Sequence, residues 1–123
     1  MPVVMVVDDT DSARELMAKL LRVCGYQTLC ASSGPEALQV LQVIRPDLIL
    51  LDLAMPEMDG LTVLQILRGS ERWKTLPVLM VTAMSDPKLI EHSKQLGAQG
   101  YLVKAQFSAD DVLSEVERYA QAN

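Results

Sequence analysis

Three short runs of the chain, Val3–Val7, Leu48–Leu51 and Val78–Val81, are apolar at every position rather than at every second one. A strand with one face in water alternates apolar and polar side chains, so a strand that is apolar throughout has to be covered on both faces. Such strands belong to parallel sheets sandwiched between helices, and that requirement excludes most other ways of folding the chain. The strand assignments are Val3–Val7, Gln27–Cys30, Asp47–Leu51, Val78–Val81 and Gly100–Val103.

The segments between them carry helical spacing. Ala13, Leu16, Met17, Leu20, Leu21 and Cys24 form one apolar stripe, and Gly25 follows as a stop signal. Ser33-Gly34-Pro35-Glu36 combines a capping-box spacing with a proline already in helical φ. Asp86-Pro87 opens a fourth helix in the same way and Gly97 closes it; Ser108 and Asp111 cap a fifth, whose inner face is Val112, Leu113, Val116 and Ala120. Strict βα alternation predicts an α/β fold: a doubly wound, five-stranded parallel sheet with right-handed crossovers and helices on both faces, in three layers. The strand order 2-1-3-4-5 is adopted by analogy with other open sheets of this kind.

The length of 123 residues fits one domain, for which roughly 100–150 is usual, so residues 1–123 are expected to form a single unit with no output domain after the fifth helix. No run approaches the ~18 apolar residues of a membrane span, and Met1-Pro2-Val3-Val4-Met5 lacks a basic leader. The expectation is a cytoplasmic protein that does not engage a membrane. A net charge of -5 argues against nucleic acid as a partner and suits proteins or hard cations. Cys24 and Cys30 fall at opposite ends of neighbouring elements, too far apart for a disulfide, and are expected to be buried thiols.

Ligands of a doubly wound sheet bind at the carboxyl ends of the strands. Here those ends carry Asp8-Asp9 after the first strand, Asp52 after the third, Thr82 after the fourth and Lys104 after the fifth. Three carboxylates brought to one place resist simultaneous ionisation, so something cationic has to accompany them. Lys104 is one candidate, and a hard divalent ion such as Mg²⁺, which takes carboxylate, water and phosphate oxygens, is the other. With Mg²⁺ a carboxylate can attack a phosphoryl group to give an acyl phosphate, a reaction governed by positioning and charge neutralisation.

Leu51-Asp52-Leu53-Ala54-Met55-Pro56-Glu57-Met58-Asp59-Gly60 resembles the signature around the phosphorylated aspartate of response regulator receiver domains. Val78-Leu79-Met80-Val81-Thr82-Ala83, Gly97-Ala98 and Gly100-Tyr101-Leu102-Val103-Lys104 resemble further motifs of that family, in its order and spacing. The resemblance covers essentially the whole chain and implies a flavodoxin-like fold, as in the chemotaxis receivers of two-component signalling. It implies Asp52 as phosphoacceptor, Asp8 and Asp9 as the acidic pair holding Mg²⁺, and the backbone carbonyl of Ala54 as a further ligand. It implies Thr82 as the switch hydroxyl, Lys104 as the ion-pair partner of the phosphoryl group, and Tyr101 as the aromatic residue coupled to the switch. The implied phosphodonor is a sensor histidine kinase, and the surface that changes for a downstream protein is the fourth helix, fifth strand and fifth helix. The implied protein is a switch rather than an enzyme, catalysing only its own phosphorylation and slow dephosphorylation.

Taken singly, several residues have purely structural readings. Asp9 or Thr10 could cap the first helix, Asp59 the third, His92 reads as a surface residue, and Trp73 as local packing. Met55, Met58, Met80 and Met84 read as adaptable packing near the site. The chain departs from the family's pattern where proline usually follows the lysine: Ala105-Gln106-Phe107 stands there, with a trans Lys104–Ala105 bond expected and Phe107 expected to anchor the loop. The positions that tune acyl-phosphate lifetime in the family are the apolar Ala54 and Met84. Two enzyme or cofactor alternatives are a haloacid-dehalogenase-like phosphatase using Asp9 and Asp11, and a flavodoxin-like electron carrier. The first leaves the Asp52 motif unexplained, and the second lacks a phosphate-binding loop after the first strand. A third alternative, an interaction module that is never phosphorylated, would have no use for the full acidic set.

Overall fold

The structure, a computed structural model, describes residues 2–106 and 108–120. In chain order the elements are β1 (Val3–Val7), α1 (Asp11–Val23), β2 (Gln27–Ala31), α2 (Gly34–Leu41), β3 (Leu48–Leu51), α3 (Gly60–Arg68), β4 (Val78–Thr82), α4 (Pro87–Gln95), β5 (Gly100–Val103) and α5 (Ala109–Tyr119). All five strands pair in parallel, in the order β2-β1-β3-β4-β5. The expected α/β fold and strand order are both borne out.

The uninterrupted apolar runs are explained by two cores, one on each face of the sheet. Met5, Val7, Ile49, Leu51, Val78 and Met80 point to a core shared with α2 and α3. Their alternates Val4, Val6, Leu48, Leu50, Leu79 and Val81 point to a second core with α1 and α5. Every residue of β3 and β4 is buried. Helix boundaries follow their caps. Ser33, Asp59 and Asp86 each accept a hydrogen bond from a backbone N–H of the first turn, and Ser108 and Asp111 form a reciprocal capping box. Gly25 and Gly97 take φ of 95° and 106°, the left-handed geometry that ends α1 and α4.

Three expectations need correction. Leu16 is 71% exposed despite its place in the apolar stripe of α1, because a groove of 370 Å³ opens between α1 and α5 at that level. Cys24 and Cys30 are free, as expected, but both are exposed. Cys24 lies beyond the last turn of α1, and Cys30 sits on β2, an edge strand with a neighbour on one side only. Trp73 packs more deeply than a local contact would: it is 7% exposed within the core shared with α2 and α3, with the Arg72 guanidinium 5.5 Å from the ring centre. Among the described residues, no helix is long and apolar enough to cross a membrane.

The segment joining β3 to α3 is held tightly. Met58 donates its N–H to the Pro56 carbonyl at 2.7 Å, and the intervening Glu57 has φ 67°. Gly60 donates to the Leu53 carbonyl at 2.8 Å, and a Cβ added to it would collide with the Asp52 carbonyl oxygen and lie 2.8 Å from Leu53 Cα. Backbone cannot yield as a side-chain tip can, so Gly60→Ala should lower unfolding free energy by about 1–3 kcal/mol in urea titrations. Unchanged stability would show that α3 is not seated on the Asp52 backbone.

Candidate functional site

Sheet register sets the site. Val7 is opposite Leu51 across β1 and β3, so the next residues, Asp8 and Asp52, leave the sheet side by side. Asp52 N–H donates to the Val7 carbonyl at 2.9 Å, and Asp8 N–H to the Ala31 carbonyl at 3.1 Å. Thr82 is opposite Val103 across β4 and β5, and Lys104 N–H donates to the Thr82 carbonyl at 2.8 Å, which brings the lysine to the same rim.

The side chains then converge. Asp8, Asp9 and Asp52 each offer an oxygen atom, all within 4.8 Å of one another. Asp8 and Asp52 are each only 6% exposed, whereas Asp9 is exposed. The Lys104 ammonium donates to Asp8 Oδ2 at 2.7 Å and to Asp52 Oδ2 at 3.5 Å. Three hard oxygen donors so placed fit a divalent cation of the Mg²⁺ type, and the cluster could hold one.

Burial raises the Asp52 pKa above the ordinary carboxylate value; Lys104 opposes this and Asp8 adds to it, while the Thr82 hydroxyl and the Ala54 N–H, which donates to Asp52 Oδ1 at 3.3 Å, pull it down. Desolvation outweighs the attraction of the ammonium. Burial also works to lower Lys104, but its hydrogen bond to Asp8 and the charges of Asp52 and Asp8 prevail, and its pKa is raised. Thr82 is fully buried, and its hydroxyl accepts from the Met84 N–H at 3.4 Å.

Of the residues singled out in the sequence, Asp8, Asp9, Asp52, Ala54, Thr82 and Lys104 meet at this rim. Tyr101 lies further out, with its hydroxyl donating to the Met84 carbonyl at 2.8 Å. Burial raises the Tyr101 pKa, with Asp52 and Asp86 contributing. The Lys104–Ala105 bond is trans, as expected, and Gln106 N–H turns back to the Val103 carbonyl at 2.8 Å. The expectation for Phe107 lies outside the described residues. Asp59 caps α3 through Thr62, and His92 is exposed.

Sequence reasoning missed two participants. One is the main chain of Met84, which ties the Thr82 hydroxyl to Tyr101. The other is Arg14, which donates to the Asp8 carbonyl at 2.8 Å and to Asp11 Oδ1 at 2.6 Å. The three-residue spacing of Asp11 and Arg14 was a signal for the second contact but carried no hint of the first.

The sequence profile of the response regulator receiver domain matches residues 4–117. Regulatory protein AtoC of Escherichia coli is 33% identical over 96% of this chain, which spans only 25% of AtoC. Sporulation initiation phosphotransferase F of Bacillus subtilis is 34% identical over 94% of this chain and 91% of its own length. The crystal structure of Vibrio cholerae chemotaxis protein CheY4 superposes with a TM-score of 0.89 at 34% identity, covering 97% of this chain and 98% of that one.

The raised Asp52 pKa has a consequence for stability. Between the unfolded and folded pKa values the folded chain binds the extra proton, so stability falls as pH rises through that window. Asp52→Asn removes this penalty and leaves Lys104 paired with Asp8. Its melting temperature at pH 7 should exceed that of the wild type by a few degrees, with the gap closing below about pH 4, where the unfolded carboxylate is protonated too. Thermal melts at a series of pH values check this; equal melting at pH 7, or a gap that widens on acidification, would contradict it.

Proposed function

The chain belongs to the response regulator receiver domain family of two-component signalling, and from that membership we propose that residues 1–123 act as one phosphoacceptor switch. In this reading Asp52 takes a phosphoryl group from a phosphohistidine of a sensor histidine kinase, and the domain then changes its surface for a downstream protein. The observation that carries the reading is the convergence of three carboxylates and one ammonium around Asp52 at the rim of the sheet.

An oxygen of the Asp52 carboxylate attacks phosphorus. The new P–O bond forms as the P–N bond to the donor imidazole breaks, and the imidazole keeps the electron pair and gains a proton. Asp8, Asp9, Asp52 and the Ala54 backbone carbonyl would hold Mg²⁺, which when bound supplies neutralisation of the phosphoryl oxygens. Lys104, shared between Asp8 and Asp52, has only to shift toward Asp52 to pair with the incoming charge. The buried Thr82 hydroxyl, which lowers the Asp52 pKa, would donate to a phosphoryl oxygen.

That exchange reaches the surface through the main chain. The N–H of Met84 bonds the Thr82 hydroxyl, and its carbonyl accepts from Tyr101 on β5. Movement of Thr82 therefore pulls on the link between the loop after β4 and the α4-β5-α5 face, a two-state element of the kind a phosphoryl group can bias. This domain would be a switch whose only chemistry is at its own aspartate, working in the cytoplasm, with proteins rather than nucleic acid or membrane as partners.

Acetyl phosphate with a divalent ion should give an alkali-labile phosphoprotein that borohydride traps at Asp52 and that Asp52→Asn abolishes. Label on Asp9 would point to the phosphatase chemistry instead. Thr82→Ala should leave labelling intact while weakening the effect of phosphorylation on binding of a downstream partner. Equal partner binding by the phosphorylated and unphosphorylated wild type would contradict the switch.

A further inference from the structure

We propose that Arg14 is a positioning residue for the acidic pair: its guanidinium clamps the β1–α1 loop so that Asp8 and Asp9 stay together against their own repulsion. This rests on the reading of Asp8 and Asp9 as the residues that hold a divalent cation, and extends it to a residue that touches neither cation nor phosphoryl group. The Asp8 carbonyl is the first acceptor beyond the end of β1, and Arg14 donates to it at 2.8 Å. The other arm of the same guanidinium is held by Asp11 at 2.6 Å. Between these points the Thr10 N–H donates to Asp8 Oδ1 at 2.9 Å. Three bonds thus close the loop Asp8–Asp11, with Asp9 carried on it.

The loop needs such a closure because Asp9 is the exposed member of the cluster, with an oxygen within 4.8 Å of those of Asp8 and Asp52. Lys104 contacts Asp8 and Asp52, so its ammonium relieves the repulsion of those two directly. Asp9 depends on its backbone to hold it in place. The Arg14 side chain is only 15% exposed and is two-point anchored, so it can transmit that constraint. Outer groups that orient ligands in this way typically account for ~10–100-fold in metal affinity.

The clamp and simple electrostatics predict opposite signs. Removing a positive charge near three carboxylates should by itself strengthen binding of a second cation. Loss of the clamp should weaken it, and more for Mg²⁺, which demands strict geometry, than for the more adaptable Ca²⁺. The test is calorimetric titration of the wild type, Arg14→Met and Asp11→Asn with Mg²⁺ and separately with Ca²⁺, alongside thermal melts without metal. Arg14→Met should weaken Mg²⁺ binding about tenfold and Ca²⁺ distinctly less, with Asp11→Asn, an exposed position, changed in the same direction but by less. Unchanged or tighter Mg²⁺ binding in a folded Arg14→Met overturns the clamp, as does equal loss for both ions. Should Arg14→Met fail to fold, an unaltered Mg²⁺-to-Ca²⁺ preference in Asp11→Asn overturns it. Absence of any saturable Mg²⁺ binding in the wild type would instead count against the cation site on which the clamp depends.

Discussion

Mutual repulsion among Asp8, Asp9 and Asp52 is the constraint around which the rest of the molecule is arranged. Left free, three carboxylates would separate or take up protons. They are held because β1 and β3 are adjacent, parallel and fully covered strands whose register ends level at Val7 and Leu51. The sheet contributes rigidity rather than charge. Its two apolar cores fix the strand ends, and Gly60 fixes the Asp52 backbone from the side of α3. A slip of one residue in either central strand would turn its carboxylate toward the opposite face.

Lys104 relieves part of the repulsion without cancelling it. Its ammonium sits nearer Asp8 than Asp52, and burial still leaves the Asp52 carboxyl with a raised pKa. A nearby cation favours the ionised form of an aspartate in that state. Beside the same site lies Thr82, a buried hydroxyl that accepts from the Met84 N–H, while the Met84 carbonyl accepts from Tyr101. Thr82 at the rim and Tyr101 on β5 are thereby two ends of one short chain of contacts.

Much of this was legible in the sequence, and for a physical reason. Continuous apolar strands demand cover on both faces, alternation with helices fixes parallel pairing, and polar residues immediately after such strands can only gather at the carboxyl rim. The resemblance of the Asp52 segment to receiver domains then attached roles to those positions. What stayed hidden depended on how elements meet rather than on what each contains. The apolar stripe of α1 did not reveal that Leu16 would face an open groove. Cys30 was read as buried, although the same strand order placed it on an edge strand. The reach of Arg14 to a backbone carbonyl six residues away, and the left-handed turn at Glu57, leave no compositional trace.

Everything proposed for Asp52 depends on the carboxylate cluster being the place where a divalent cation enters. Titration of the uniformly ¹⁵N-labelled chain with Mg²⁺, followed by two-dimensional amide NMR, measures this residue by residue. One saturable set of shifts should centre on Asp8–Asp11, Asp52–Ala54 and Lys104, with weaker changes passing to Thr82 and Met84. Shifts that fail to saturate, or that centre on residues away from this rim, would contradict it.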